Sequence, residues 1–223
     1  MPVITISRLT GSGGAEIGEQ LAERLGARYL NKQIIQEAAQ RLNISEATAA
    51  EYNERAEDFS ERLARVLWVA DPTFAPVSSP ASSFPFESTT DAFVEITRKL
   101  VHEAAHTGNA VIFGHGAHFI LAHHPDVLHV RFVAPLPFRV EQVMRREGVN
   151  RAEAERRVRA EDERRANHIR QYYKADWNAP DPFHLILNTA LLDEAACIRL
   201  VLEAVEQLKR QQSGHSHSST ANE

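Results

Sequence analysis

Apolar positions along this chain follow two spacings that alternate with each other. An apolar run at residues 3–6 is followed by a turn, and then by Ile17, Leu21 and Leu25 at helical spacing, with Gly26 placed to end that helix. The same patterns predict further strands at residues 110–113, 127–133 and 184–188, and helices over 31–42, 45–69, 91–108, 137–173 and 192–208. Alternating strands and helices predict an α/β fold in which helices cover both faces of a central parallel sheet.

Two segments fall outside this alternation. Residues 71–90 contain four prolines among serines and are predicted to form a loop or flap. Its phenylalanines, Phe74, Phe84 and Phe86, either close over a ligand or anchor the flap on the core. The polar tail at residues 213–223 is predicted to be disordered.

Composition narrows the class of protein. The 223 residues are 43% hydrophobic and 25% charged, which suits one large globular domain. A net charge of −5 argues against a general nucleic-acid binder, since such proteins present a basic face. The single cysteine, Cys197, excludes a disulfide framework, and we expect a cytoplasmic protein with no membrane association.

The strongest local signal is the glycine-rich turn between the first strand and the first helix, Gly11-Ser12-Gly13-Gly14. A helix N-terminus offers unpaired N–H groups and a partial positive charge, and glycines let the backbone approach phosphate oxygens. Compared with the Walker pattern, Gly14 stands at the lysine position and Ala15 at the Ser/Thr position. Arg8 is the nearest cation, and Ser7, Thr10 and Ser12 are candidate hydroxyl ligands for phosphate or metal. The alternative is an ordinary turn that closes a βα unit.

His102-Glu103-Ala104-Ala105-His106 matches the H-E-x-x-H zinc signature. The extended form of that signature needs a glycine and a third histidine, but Asn109 and Ile112 occupy those places. We therefore favour a crossover helix that leads into the strand at 110–113.

Arginine is concentrated between residues 139 and 170. Some of these arginines are spaced for i,i+4 pairs with glutamates on a solvated face, as in Glu153 with Arg157, Glu155 with Arg159 and Glu161 with Arg165. The others are candidates for a phosphate clamp, because the planar guanidinium binds phosphate oxygens bidentately.

Several segments, in this order, resemble the cytidylate-kinase-like family of P-loop nucleoside monophosphate kinases. They are Ile4-Thr5-Ile6-Ser7-Arg8, Gly11-Ser12-Gly13-Gly14, Tyr29-Leu30-Asn31-Lys32, Val111 to Ala117, His129 to Pro135, and Asn188-Thr189. The chain departs from the family pattern at Leu9-Thr10, at His115 in place of an arginine, and at Asn31 in place of an acidic residue.

The resemblance implies a three-layer P-loop NTPase fold over residues 1–212, with a helical acceptor-binding insertion at 31–90 and an arginine-rich, lid-like segment at 145–170. It also implies transfer of a phosphoryl group from ATP, with Mg²⁺, to a nucleoside monophosphate resembling CMP. Direct transfer requires a closed, dry site. The oligomeric state stays open.

Phosphoryl transfer depends on the positioning of the substrates and on charge stabilisation, and each candidate residue is given one of these roles. The donor phosphates are expected at Thr10, Gly11, Ser12, Gly13 and Gly14, with Arg8 in place of the missing lysine and Mg²⁺ near Ser7 and Ser12. The clamp candidates are Arg139, Arg146, Arg156 and Arg159. Asp162 either binds the acceptor or orients a lid arginine, unless it is a surface acid. His115 and Asn31 are placed on the acceptor side, and a structural hydrogen bond is the alternative for His115.

Two other functions are compatible with the same residues. One is a nucleotide-binding regulatory protein of kinase-like fold with little or no turnover. The other is a kinase that acts on a non-nucleotide hydroxyl, because a fold does not determine the acceptor.

Overall fold

A computed structural model describes residues 2–45 and 89–218 of the chain. In chain order its elements are β1 (Val3–Arg8), α1 (Gly14–Leu25), β2 (Arg28–Leu30), α2 (Lys32–Leu42), α3 (Thr89–Thr107), β3 (Ala110–Phe113), α4 (Ala117–Ile120), β4 (Val127–Val133), α5 (Leu136–Glu147), α6 (Arg151–Tyr173), β5 (Leu185–Asn188) and α7 (Glu194–Ser218). The predicted helix at 45–69 and the flap at 71–90 lie almost entirely outside the described residues.

The strands form one sheet in the order β2-β3-β1-β4-β5, and every pairing is parallel. In β1, Ile6 is in register with Phe113 of β3 on one side and with Val130 of β4 on the other. The carboxyl ends of β1, β3 and β4 therefore meet at one edge, where open α/β sheets bind ligands.

Alternate residues of each strand face opposite layers, which produces two cores. Ile4, Ile6 and Val130 pack with α1 and α7, whereas Val3, Ile112 and Val127 pack with α2 and α3. Strands buried on both faces explain the continuous apolar runs in the sequence. The architecture confirms the predicted three-layer α/β fold with a central parallel sheet.

A third, smaller core joins α5 and α6. It consists of Val140, Val143, Ala154 and Val158, all fully or almost fully buried. The predicted helical run at 137–173 is therefore two helices, because Gly148 takes a left-handed conformation with φ of 66° and ends α5. The side chain of Asn150 caps α6 by accepting the N–H of Glu153.

The C-terminal helix is longer than the sequence pattern indicated. It continues past residue 208 to Ser218, and so through the first six positions of the segment predicted to be disordered. Lysine, arginine and glutamine at residues 209–212 are good helix formers, and they extend the helix without an apolar face.

The H-E-x-x-H segment lies on α3, where His102, Glu103 and His106 are exposed. Glu103 forms a bidentate pair with Arg41 of α2, at 3.1 and 3.0 Å. The helix α3 leads directly into β3, which pairs parallel with β2, so α3 is the crossover helix that the sequence favoured. Among the described residues, no helix is both long and apolar enough to span a bilayer.

Candidate functional site

The loop between β1 and α1 presents an open helix N-terminus. Gly13 occupies the N-cap position with φ of 73°, and no side chain caps the helix. A Cβ atom on Gly13 would have no described atom within 4 Å, whereas one on Gly11 would lie 2.5 Å from the carbonyl oxygen of Arg139. Gly11 thus allows the loop to pack on α5, and Gly13 leaves the first N–H groups of α1 accessible to an anion.

Asp162 of α6 holds the start of this loop in place. Its carboxylate accepts the N–H of Thr10 at 2.9 Å and Nη1 of Arg139 at 2.6 Å. The Arg139 guanidinium also donates to the carbonyl oxygens of Thr10, at 3.1 Å, and Ala134, at 3.0 Å. The side chains are 16% exposed for Asp162 and 10% for Arg139. Asp162 and Arg139, both predicted as site residues, therefore position the loop by hydrogen bonds to each other and to the backbone of Thr10.

The predicted hydroxyl ligands have different environments. The Ser12 hydroxyl is buried and donates to the carbonyl oxygen of Leu9 at 2.8 Å, with that of Phe132 at 3.2 Å. The Thr10 hydroxyl accepts a hydrogen bond from Arg165. Ser7 is buried at the end of β1 and borders a cavity.

Arg8 places its charge at the edge of the sheet. Its guanidinium lies over the ring of Phe113, 4.3 Å from the ring centroid, and the described residues offer it no ion pair. Burial lowers the pKa of Arg8 to about 9, and the charge of Arg165 adds to this effect. At neutral pH the group therefore remains a cation that is only partly compensated by the protein.

Two cavities meet at Arg8. The loop cavity, about 470 Å³, is lined by residues 8–16 on one side and by arginines of α5 and α6 on the other. The histidine cavity, about 120 Å³, lies toward β3 and includes Ser7, His115, His118, His168 and Trp177. Four charged residues line both cavities: Arg8, Glu161, Arg164 and Arg165.

The remaining clamp candidates are on the solvated face of the α5–α6 pair. Arg146 and Arg156 line the loop cavity and pair with Glu147, at 2.6 Å, and Glu153, at 2.7 and 2.9 Å. Arg159 is exposed and pairs with Glu155 at 2.7 and 2.9 Å; it lines neither cavity as the described residues form them.

Arg164 and Arg165 are site residues that sequence analysis did not single out. Arg165 pairs with Glu161 at 3.2 Å, as its spacing predicted, but it also contacts Asp162 and the Thr10 hydroxyl. Arg164 pairs with Glu161 as well. The sequence signal that could have identified Arg164 and Arg165 is their position two and three residues after Asp162 on the arginine-rich helix.

His115 links the end of β3 to the start of α2. Its Nε2 donates to the carbonyl oxygen of Asn31 at 3.0 Å, and burial lowers the pKa of the imidazole to about 4. His115 has a φ of 56°, between Gly114 at 80° and Gly116 at 66°. Three consecutive left-handed residues are strained at the histidine, where the Cβ atom opposes this conformation. The hydrogen bond foreseen as the alternative role of His115 is present.

Trp177 lines the histidine cavity, and further aromatic groups pack close to its lining residues. Arg131 of β4 donates to the carbonyl oxygen of Trp177, and its guanidinium lies 4.7 Å from the centroid of the Trp177 ring. Tyr173 of α6 stacks on Phe119 with centroids 5.7 Å apart, and its ring abuts the backbone of Gly116.

The sequence relatives of this chain share one description, that of cytidylate kinases. The sequence model described as the cytidylate kinase-like family matches residues 3–191. A cytidylate kinase of Ignicoccus hospitalis is 26% identical over 202 residues, which are 90% of this chain and 97% of the relative. Among solved structures, an uncharacterized protein from Eubacterium ventriosum has a TM-score of 0.66 at 16% identity, covering 92% of this chain and 99% of that one. Shikimate kinase from Bacteroides thetaiotaomicron has a TM-score of 0.50 at 14% identity, covering 92% and 98%.

Proposed function

The chain belongs to the cytidylate kinase-like family, and from that membership we propose that it transfers the terminal phosphoryl group of ATP to a nucleoside monophosphate resembling CMP. The curated relatives support a nucleotide kinase in general, since they are cytidylate kinases that match nearly the whole chain. The choice of donor and acceptor is our proposal, and the site geometry is its basis.

The observation that carries the proposal is the shared wall of the two cavities. Arg8, Arg164 and Arg165 border both of them, so three cations lie where a donor bound on one side would meet an acceptor bound on the other. A transferring phosphoryl group spreads negative charge over its equatorial oxygens, and preorganised guanidinium groups stabilise that charge. In this mechanism the protein orients the two substrates and neutralises the charge of the phosphoryl group, and it forms no covalent bond with either substrate.

The loop cavity fits the phosphates of the donor. The uncapped N-terminus of α1 and the open space around Gly13 provide a backbone cradle, and Arg146 and Arg156, each paired with a glutamate, lie at the opposite wall. For Mg²⁺, the two predicted hydroxyl ligands are poorly placed, because the Ser12 hydroxyl donates to a carbonyl oxygen of the protein and Ser7 is buried. This donor set fits an ion that keeps several waters and is held mainly by substrate phosphates, where it would neutralise charge.

Arg8 takes the place of the Walker lysine in this proposal. A side chain at Gly14 has little room, because its Cβ would lie 3.0 Å from the Phe132 ring and 3.1 Å from the Cβ of Arg8. Arg8 instead reaches the boundary of the cavities from the end of β1. Asp162 and Arg139 hold the loop against α6. That residues 145–170 act as a closing lid, and residues 31–90 as the acceptor-binding insertion, remain predictions.

The test is nucleotide binding and turnover in matched variants. We expect the wild type to bind ATP in isothermal titration and to release ADP when CMP is added. Arg8→Ala should weaken ATP binding about tenfold or more, about 1.4 kcal/mol, and Arg8→Lys should retain part of it. Arg199→Ala, an exposed arginine on α7, is the control for general loss of positive charge. Unchanged affinity in Arg8→Ala would refute the assigned role of Arg8.

The crowded position of Gly14 also favours a second candidate, a nucleotide-binding regulatory protein with little turnover. The same experiment separates the two. ATP binding without ADP release over a panel of nucleoside monophosphates supports the regulatory function, whereas release only with a non-nucleotide hydroxyl compound supports a kinase for another small molecule.

A further inference from the structure

Residues that line the histidine cavity carry hydrogen-bonding atoms without a protein partner. Among the described residues, four buried side-chain nitrogen or oxygen atoms have no hydrogen-bond partner, and three of them belong to residues that line this cavity. They are Nε2 of His118, Nδ1 of His168 and Nε of Arg164. A buried polar atom left unpaired destabilises the protein, so three around one cavity indicate a ligand that supplies their partners.

We propose that His118 and His168 are the specificity-determining residues of this cavity, reading the edge of a single-ring pyrimidine base without distinguishing strongly between cytosine and uracil. The inference rests on the proposed function, because it assigns the cavity to the phosphate acceptor. Arg164, together with Arg8 and Arg165, faces the phosphate end of that acceptor.

The size and walls of the cavity favour one ring over two. Its volume of about 120 Å³ is close to that of an engineered cavity of roughly 150 Å³ that admits benzene. His118 and Trp177 line the cavity, and the His118 ring packs against the rings of Phe119, at 4.1 Å, and Phe183, at 4.7 Å. From this volume we expect a single pyrimidine ring to fit the cavity better than a fused purine.

The imidazoles are suited to reading either pyrimidine. Burial lowers the pKa of His118 to about 3 and that of His168 to about 4, so both rings are neutral near pH 7. A neutral imidazole has one donor and one acceptor nitrogen, and no hydrogen bond within the described residues fixes the tautomer of either ring.

Cytosine and uracil differ by exchanging donors and acceptors along one edge. Cytosine presents an amino donor beside an acceptor nitrogen, and uracil presents a carbonyl acceptor beside an N–H donor. Two imidazoles that each change tautomer can match both patterns. A side chain whose donor and acceptor positions are fixed leaves unpaired groups against the wrong base, and it therefore discriminates strongly between the two bases.

The test compares acceptors and histidine variants. We expect wild-type kcat/KM values for CMP and UMP to agree within about tenfold, and AMP and GMP to be poorer by about a hundredfold or more. His118→Phe and His168→Phe keep a ring but remove the polar atom, and each should lower kcat/KM for both pyrimidines about tenfold or more, with unchanged ATP affinity. Isothermal titration of CMP and UMP alone should show the same losses. His123→Phe, a change at an exposed position outside the cavity, is the control and should match the wild type.

The outcomes separate the inference from the function on which it rests. The conservative variants His118→Gln and His168→Asn retain a polar atom and should recover part of the affinity, which distinguishes a lost contact from a lost fold. A wild type that phosphorylates CMP over a hundredfold better than UMP, or phenylalanine variants that bind CMP as the wild type does, would overturn the inference and leave the kinase proposal intact. A wild type that binds ATP but phosphorylates no nucleoside monophosphate would overturn both.

Discussion

Replacing Asp162 with asparagine removes one charge from the contact that joins α6 to the glycine loop. The carboxylate uses one oxygen for the N–H of Thr10, at 2.9 Å, and the other for Nη1 of Arg139, at 2.6 Å. An amide has a single oxygen, so whichever donor it accepts, its NH₂ group faces the other donor. Both side chains are at most 16% exposed, so water screens the change weakly. A charged hydrogen bond contributes about 1.5–3 kcal/mol, and an unpaired buried cation adds to the loss. We expect Asp162→Asn to lower the free energy of unfolding by about 2–4 kcal/mol.

Urea unfolding followed by circular dichroism measures this loss, and isothermal titration measures its effect on ATP. ATP affinity should fall as well, because the loop loses the contact that fixes its backbone. Glu163→Gln, the exposed neighbour on the same helix, controls for the removal of one acidic charge. In an Arg139→Met background the same substitution should cost about 1 kcal/mol or less, since the ion pair is already absent. A single variant within about 0.5 kcal/mol of the wild type would contradict the positioning role of Asp162.

Two further predictions concern the β3 end of the site and its histidines. Gly116→Ala should destabilise the protein by more than Gly26→Ala, because both glycines have positive φ but only a Cβ at 116 would meet the Tyr173 ring, at 2.7 Å; equal urea midpoints for the two variants would argue against this contact. Stability should also fall as the pH drops from about 6.5 toward 4. Burial lowers the pKa of the folded-state imidazoles, so in this window the unfolded chain binds more protons and is favoured by acid, by about 1–2 kcal/mol per histidine at pH 5. The groups concerned are His118, with a pKa of about 3, and His115, His129 and His168, each about 4. Urea midpoints at pH 7.5, 6 and 5 measure the slope, and a constant midpoint would contradict it.

The sheet was readable from the sequence because its central strands are buried on both faces. The runs at residues 3–6, 110–113 and 127–133 are almost wholly apolar, and a short apolar run bounded by turns is the mark of such a strand. The strand β2 was missed because it has only three residues, and its first, Arg28, is exposed. The break at Gly148 was missed because the charged pattern continues on both sides of it.

The glycine loop was also readable, since its backbone requirement is local. The partners of its side chains were not, because they come from distant parts of the chain: the Thr10 to Asp162 hydrogen bond joins residues 152 positions apart. Spacing on a helix predicted the Glu161 to Arg165 pair but could not indicate that Arg165 also reaches Thr10. The inward orientation of the Ser12 hydroxyl depends in the same way on Phe132 of a neighbouring strand.

The small core between α5 and α6 has a consequence for how the protein opens. Val140, Val143, Ala154 and Val158 form a cluster that is separate from the two large cores, so we expect α5 and α6 to open as a unit. Segments of this kind exchange their amide hydrogens together, at a free energy below that of global unfolding. A nucleotide that contacts both the loop and this helical pair would slow that exchange, so hydrogen exchange would report occupancy of the site through amides that never touch the ligand.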